Sequence, residues 1–298
     1  MYNFRTDLAL ERRDIYQKVN NLKQIDGIKS TEEEINEKLK VTRVEILNKN
    51  GEKAIGKPVG NYVTIDVKKL KLAEDEDIQK ASEVVTKELK KIINIHTDKQ
   101  GDILVVGLGN IYVTPDALGP KVINEIDVTR HIIKYLPQYV DEGTRPVSAI
   151  SPGVLGTTGI ETVEILKGIV DNIHPKLLIV IDALASISLK RLNHTIQINN
   201  ASISPGAGIG NFRKKFSQKT LGCPMLAIGV PTVVDIKALF EEAFKNIDLN
   251  LDEVMPFATE DDMIQFMVTP KEIDMNIDDL ANIISRGLNK AFHNLNYY

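Results

Sequence analysis

The chain has very little cysteine, no long apolar run and no strong excess of charge. Its 298 residues include one cysteine, Cys223, which excludes an internal disulfide framework and favours a reducing compartment, although a lone thiol could also be a nucleophile. The net charge of −4, without a polybasic block, argues against direct nucleic-acid binding. No segment has the character of a signal peptide or a membrane span. We therefore expect a cytoplasmic protein with no membrane contact.

Short apolar runs alternate with helical segments after residue 102. Four runs predict buried strands, namely Ile103 to Val106, Pro146 to Ile150, Leu177 to Ile181 and Met225 to Val230. The predicted helices span residues 74–95, 120–136, 159–172, 235–247 and 276–293. Continuous apolar strands flanked by helices are typical of a parallel sheet covered on both faces. The expected fold is three-layered α/β with a mostly parallel central sheet.

The region before these runs is rich in short β-type pieces. Residues 41–47, 54–55 and 62–67 predict strands separated by turn-forming residues, so we expect a small β-rich insertion near 41–67. Thr31 and Glu34 stand at capping-box spacing and predict the start of a helix.

Two aspartates follow apolar runs in this pattern. Asp182 ends the run Leu177 to Ile181, and Asp116 lies in the loop after the first run. Thr114 could cap a helix with Pro115 at its first position, which would leave Asp116 in a first turn; alternatively Asp116 lies free in the loop. A carboxylate at the end of a buried strand must be paired, protonated or at an open edge.

The carboxyl ends of parallel strands meet at one edge of a sheet, where ligands gather. We therefore expect Asp116 and Asp182 at the same edge. Two close carboxylates cannot both ionise cheaply, so one could serve as general acid while the other activates a water. This pairing predicts acid/base hydrolysis.

Three glycine-bearing loops border the same predicted edge. Their candidate substrate-facing residues are Gly107, Gly109 and Asn110, then Gly153 and Gly156, then Gly206 and Gly208. The first loop lacks the third glycine of a dinucleotide fingerprint, and a tight turn is its plainer interpretation. Flexible connection is the alternative for the other two loops.

Other catalytic constellations are weak. The five histidines are scattered without metal-ligand spacing, and no GxSxG serine elbow occurs. His131, in a predicted helix, is more typical of a surface or packing residue. The sequence therefore predicts no metal and no cofactor.

Several of these segments together resemble a known family. They are Gly107-Leu108-Gly109-Asn110, Thr114 to Pro120, Ser151 to Gly156, Ile181 to Ala185, Gly206 to Asn211, Ile228 to Asp235 and Val268 to Asp274. Across nearly the whole chain, they are similar to the spore germination proteases. The resemblance implies endopeptidases of the forespore and spore core that degrade small acid-soluble spore proteins, assemble as homotetramers and act as atypical aspartic peptidases. It also implies that Asp116 and Asp182 are catalytic, and that the fold is similar to that of hydrogenase maturation peptidases.

The same family makes an inactive precursor that trims its own N-terminus. Residues 5–11 resemble the acid/apolar pattern that the family cleaves, which implies cleavage between Asp7 and Leu8, a propeptide of residues 1–7 and a single peptidase domain of residues 8–298. Judged on its charges alone, this stretch is an exposed tail.

Two alternatives remain at this point. One is a metal-dependent peptidase of the hydrogenase-maturation type, with an ion between the aspartates and a water or His131 completing the site. The other is a non-catalytic protein that binds spore proteins or a nucleotide.

Overall fold

The computed structural model of the protein describes residues 6–68, 74–96, 101–141, 143–201, 216–236, 239 and 266–293. Within them the chain forms one sheet flanked by helices. The strands are β1 Ile28–Glu34, β2 Leu39–Ile46, β3 Gly60–Val67, β4 Ile103–Gly107, β5 Val147–Ile150, β6 Leu177–Ser186, β7 Thr195–Asn199, β8 Met225–Asp235 and β9 Met267–Val268. The helices are α1 Ala9–Val19, α2 Lys49–Ile55, α3 Asp75–His96, α4 Leu118–Asn124, α5 Arg130–Tyr135, α6 Leu155–Thr158, α7 Thr162–Ile173, α8 Gln218–Leu221 and α9 Ile273–Phe292.

The four strands predicted from the apolar runs form the parallel part of the sheet. Their order is β8-β6-β4-β5, and Ile103 of β4 pairs with Leu177 on one side and Val147 on the other. Every residue of β4 is buried, as expected of a strand covered on both faces. The four predicted strands are confirmed.

An antiparallel part continues the same sheet in the order β1-β2-β3-β7, with β7 joined to β8. The short strand β9 also pairs antiparallel with β8. The β-rich region near 41–67 is therefore integrated into the central sheet, since β3 lies between β2 and β7.

Alternate residues of the parallel strands enter different cores. Ile103 and Val105 pack in the core that contains apolar residues of α3, α4 and α9. Leu104 and Val106 pack in a second core with Leu166 of α7. Helices cover both faces of the sheet, which confirms the three-layer α/β prediction.

The predicted helix 120–136 is wrong in one respect, because it is two helices, α4 and α5. Where the two helices separate, the Asn289 side chain on α9 hydrogen-bonds to the backbone. Its amide nitrogen donates to the Glu125 carbonyl at 2.9 Å, and its amide oxygen accepts from the Asp127 N–H at 3.1 Å. A tertiary contact thus replaces the helical hydrogen bonds that this segment would otherwise need.

Two predictions in the β-rich region are also wrong. Residues 54–55 end a helix, because Asn48 accepts from the backbone N–H groups of Asn50 and Gly51 and so caps α2. Thr31 and Glu34 lie in β1, whose pairing with β2 overrides the capping-box signal. The predicted helix 235–247 falls for the most part outside the described residues.

No helix in the described part of the chain has the length and apolar character needed to cross a membrane.

The end of β4 and the start of α4 touch through two glycines. A Cβ added at Gly119 would lie 2.2 Å from the Leu108 carbonyl oxygen and 2.6 Å from its nitrogen. A Cβ at Gly107 would lie 2.2 Å from the Gly119 carbonyl oxygen. Since these neighbours are backbone atoms, they cannot rotate away, and only glycine permits this approach.

We expect Gly119→Ala to lower the free energy of unfolding by about 1–3 kcal/mol, because the methyl group overpacks this contact. The matched control is Gly168→Ala on the exposed face of α7, where an added Cβ meets no atom within 4 Å. That variant should be neutral or more stable by about 0.5–1 kcal/mol. Denaturant unfolding of both variants measures the difference; equal effects would contradict the close approach.

Candidate active site

The carboxyl ends of β4 and β6 lie side by side, and Asp182 lies on β6 just past the last residue that pairs with β4. Gly107 pairs with Ile181, and the next N–H, from Leu108, donates to the Ile181 carbonyl at 2.8 Å. On its other side, Asp182 pairs with Gly229 of β8. The half-buried carboxylate accepts from the Ala183 N–H at 3.0 Å.

Asp116 reaches this edge from the loop that follows β4. The chain forms a 3₁₀ turn, Thr114–Asp116, in which no side chain caps the start, so Thr114 is not the predicted cap. The half-buried Asp116 folds back on the loop, and its carboxylate accepts from the Asn110 N–H at 2.8 Å. Gly109 has φ +112°, and a Cβ there would lie 2.0 Å from the Asp116 carbonyl oxygen.

The 3₁₀ turn contacts both β6 and β8. Asp116 and Asp182 are therefore held at the same edge of the sheet, one by the loop after β4 and the other by the neighbouring strand. This is the arrangement in which two carboxylates could act on one bound substrate.

The second glycine loop follows β5 and so lies at the carboxyl ends of the parallel strands, and its role in facing a substrate stays a prediction. Gly153 has φ +77°, and Gly156 lies in the short helix α6 with no atom within 4 Å of an added Cβ. Gly206 and Gly208, of the third loop, lie outside the described residues.

His131 lies at the opposite edge. The residue before it, Arg130, pairs with Asp102 at 3.0 Å, just before β4 begins, and the Thr129 N–H donates to Val147, the first residue of β5. His131 is exposed there and cannot complete a site between the aspartates. Over the described residues, no three histidine, cysteine or carboxylate side chains converge as a metal site would require.

Cys223 is an internal packing residue. Its side chain is 2% exposed and donates to the Pro175 carbonyl oxygen at 3.1 Å. Burial raises the pKa of the thiol to about 11, which disfavours the thiolate that a nucleophile needs.

In the segment from Thr6 to Glu11 every residue is buried except Asp7, which is half-buried, so its interpretation as an exposed tail is wrong. Leu8 and Ala9 have no exposed surface, and Glu11 is 4% exposed. The Asp7 N–H donates to the Ala185 carbonyl at 3.0 Å, and the Asp7 carboxylate accepts from the Ala185 N–H, also at 3.0 Å. The segment is thus bonded to the end of the strand that carries Asp182.

Gln197 of β7 holds the same segment from another side. Its amide oxygen accepts from the Ala9 N–H at 2.8 Å, and its amide nitrogen donates to the Asp7 carbonyl at 3.3 Å. Gln197 is not among the residues predicted from the sequence. The available signal was the alternation of Thr195, Gln197 and Asn199 with isoleucines in a strand that is buried throughout.

Glu11 connects the segment to the chain that follows β6. Its carboxylate accepts from the Ser186 hydroxyl at 2.7 Å, the Ile187 N–H at 3.1 Å and the Thr6 hydroxyl at 2.5 Å. Burial raises the pKa of Glu11, and these hydrogen bonds together with the charge of Arg191 oppose the rise.

Two cations lie near the Asp7 carboxylate. Burial lowers the pKa of Lys57, and the charge of Asp7 acts against that shift. Burial likewise lowers the pKa of the Arg12 guanidinium, against the charges of Asp7 and Glu11. The Asp7 carboxylate therefore favours the cationic forms of both side chains.

Among solved structures, a [NiFe] hydrogenase maturation protease HycI from Thermococcus kodakarensis KOD1 is similar to 66% of this chain and 98% of its own, with 12% identity and a TM-score of 0.31. A similarity of that strength does not establish a shared fold, and the expected likeness to the hydrogenase maturation peptidases stays a prediction.

Sequence relatives are much closer. The chain is 45% identical over 313 residues to the germination protease of Clostridium perfringens (strain ATCC 13124), covering 98% of this chain and 95% of that protein. It is 47% identical over 311 residues to that of Caldanaerobacter subterraneus subsp. tengcongensis, covering 96% and 93%. It is 40% identical over 352 residues to that of Priestia megaterium, covering 98% and 94%. The family profile described as germination protease matches residues 6–253 and 262–296, and the chain therefore belongs to the germination protease family.

Proposed function

We propose that the protein is a self-processing endopeptidase that starts the degradation of small acid-soluble spore proteins, with Asp116 and Asp182 as its catalytic residues. The observation that carries the proposal is that two carboxylates share one edge of the sheet in a chain of a protease family. The segment with the expected cleavage site is bonded to the same strand as Asp182, which supports the same assignment.

In the proposed mechanism the two aspartates share one proton. The ionised carboxylate removes a proton from a water, whose oxygen attacks the peptide carbonyl carbon. The protonated carboxyl donates to the carbonyl oxygen as the tetrahedral intermediate forms. The intermediate then breaks its C–N bond, a proton passes to the leaving nitrogen, and the products are a carboxylic acid and an amine.

The preference for an acid before the cut bond and an apolar residue after it is part of the proposal. It is supported by the surroundings of Asp7 and Leu8, where Lys57, Arg12 and the Ala185 N–H favour a carboxylate and the following side chain is fully buried. A substrate with the same order of residues would present the same chemistry.

We further propose that residues 1–7 are a propeptide and that the intact chain is a zymogen. Because Gln197 holds the Asp7 carbonyl and Leu8 is fully buried, the bond between Asp7 and Leu8 is closed to a second copy of the enzyme while the segment stays docked. Trimming by another copy would require the segment to leave this place. A homotetramer in the forespore and spore core rests on the family resemblance.

We expect Asp116→Asn and Asp182→Asn each to lower the rate of peptide cleavage by about 10²- to 10⁴-fold, because each removes one partner of the acid/base pair while keeping its shape. The substrates are a small acid-soluble spore protein and a peptide that reproduces residues 1–14 of the chain. Mass spectrometry of the products gives both the rate and the position of the cut, expected between Asp7 and Leu8.

The matched control is Asp171→Asn, an exposed carboxylate on α7 that pairs only with Lys167 in the described structure and should leave the rate unchanged. A normal rate in either active-site variant would remove that aspartate from the mechanism. Loss of wild-type activity on dialysis against a chelator would mean that cleavage depends on a bound metal ion. A stoichiometric complex without fragments would make the protein a binder.

We expect Cys223 to be dispensable for cleavage. With a thiol pKa of about 11, alkylation by iodoacetamide at pH 8 should be at least about 100-fold slower in the folded protein than in denaturant. Cys223→Ser should retain wild-type cleavage, since a hydroxyl can still donate to Pro175. Rapid alkylation that parallels loss of activity would contradict this expectation.

A further inference from the structure

A single hydroxyl separates the backbone nitrogen of Leu8 from the carboxylate of Glu11. The Leu8 N–H donates to the hydroxyl oxygen of Thr6 at 3.1 Å, and the same hydroxyl donates to the Glu11 carboxylate at 2.5 Å. All three groups belong to residues that are at most 4% exposed, so no solvent competes for these bonds.

The start of α1 brings Leu8 and Glu11 together. Leu8 is the N-cap residue of α1, and no side-chain hydrogen bond caps the helix start. Glu11 is the third residue of the helix, the position from which a glutamate reaches back to the N-cap nitrogen in a capping box. In the intact chain, the Thr6 hydroxyl lies between the Leu8 nitrogen and the Glu11 carboxylate.

Cleavage between Asp7 and Leu8 would change the hydrogen bonding of the Leu8 nitrogen and the Glu11 carboxylate. Hydrolysis consumes one water, breaks the C–N bond, and leaves a carboxylate on Asp7 and an amine on Leu8 that takes up a proton at neutral pH. The Thr6 hydroxyl departs with the propeptide, and Glu11 loses one of its donors. A buried carboxylate left short of donors is costly, and so is a cation at a helix N-terminus without a counter-charge.

We propose that Glu11 is the binding site for the new N-terminus of the trimmed chain, in which the Leu8 ammonium takes the place of the Thr6 hydroxyl and pairs directly with the Glu11 carboxylate. The proposal rests on the proposed cleavage between Asp7 and Leu8. Leu8, Ala9 and Leu10 are at most 2% exposed, and their packing would hold the new end in place after the propeptide has gone.

This pair would join the trimmed end to the active-site strand. Glu11 also accepts from Ser186 and Ile187, which follow Asp182 on the same strand and the loop after it. Glu11 is thus a positioning residue, since it touches neither substrate nor the reacting atoms. The trimmed enzyme would keep the connection that Thr6 completes in the precursor.

Several other charges face this pair and set its electrostatics. Arg191, after β6, lies 3.8 Å from Glu11 and also approaches Asp14 of α1 and Asp66 of β3 at 3.5 Å. Arg12 and Lys57 add positive charge, and Asp7 leaves with the propeptide. Of the carboxylates among these groups, Glu11 is the one linked to the Leu8 nitrogen through Thr6, so the Leu8 ammonium would take its counter-charge from Glu11.

The test is the titration of the Leu8 amine in the trimmed chain. The chain is prepared by cutting a removable fusion directly before Leu8, which does not depend on self-cleavage, and in parallel from any self-trimmed protein. Reductive methylation with ¹³C-formaldehyde labels the amine, and NMR follows its signal with pH. We expect a pKa at least about one unit above the ordinary 7.7–8.0 of an α-amine, because the adjacent carboxylate favours the charged form.

Glu11→Gln should return the amine pKa to its ordinary value or below it. The matched control is Asp14→Asn, one turn further along α1 and also close to Arg191, which should leave the amine pKa high. In a chain that begins at Asp7, the cation is displaced by one residue, and its titration should no longer respond to Glu11→Gln.

An ordinary amine pKa in the wild-type trimmed chain overturns the proposal, and this measurement stands even if Glu11→Gln does not fold. A raised pKa that Glu11→Gln leaves unchanged also overturns it. Self-cleavage is read separately, from the mass of the full chain after incubation. Failure of the proposed function is therefore distinguishable from failure of the Glu11 site.

Discussion

The parallel pairing of β4 with β6 is the constraint on which the site depends. It runs in register from Ile103 to Gly107, and the next backbone N–H still bonds to Ile181, so the two chains leave the sheet together. The contact between Gly107 and Gly119 then brings α4 directly against the strand end. Asp116, in the loop between them, lies beside the edge that carries Asp182.

The same edge explains why the N-terminal segment is part of the folded structure. Strand β6 continues past Asp182, and the backbone N–H and carbonyl groups of the buried Ala185 pair with Asp7. Gln197 and Glu11 satisfy the remaining polar groups around the segment. Because Ala185, Ser186 and Gln197 are buried, their polar groups would need new partners without the segment. The N-terminal segment is thus hydrogen-bonded to the strand that carries Asp182.

The strands and the edge of the site could be predicted because their signals are local. Continuous apolar runs can only be buried on both faces, and parallel strands covered by helices present their carboxyl ends at one edge. The break between α4 and α5 could not be predicted, since it depends on Asn289, which is more than 150 positions away in the chain. Thr31 and Glu34 show the opposite error, in which a valid local capping signal yields to strand pairing.

The order of apolar and polar residues alone determined the parallel centre of the sheet, the place of Asp182 at the end of an apolar run and the helices that cover the sheet, because each of these follows from burying contiguous apolar side chains. The tertiary structure alone decided that the β-rich region extends the same sheet, that Gln197 and Glu11 hold the N-terminal segment, and that His131 lies at the far edge. These depend on hydrogen bonds between residues distant in the chain. A segment with charged residues, such as Thr6 to Glu11, is buried only where distant residues supply its hydrogen-bond partners.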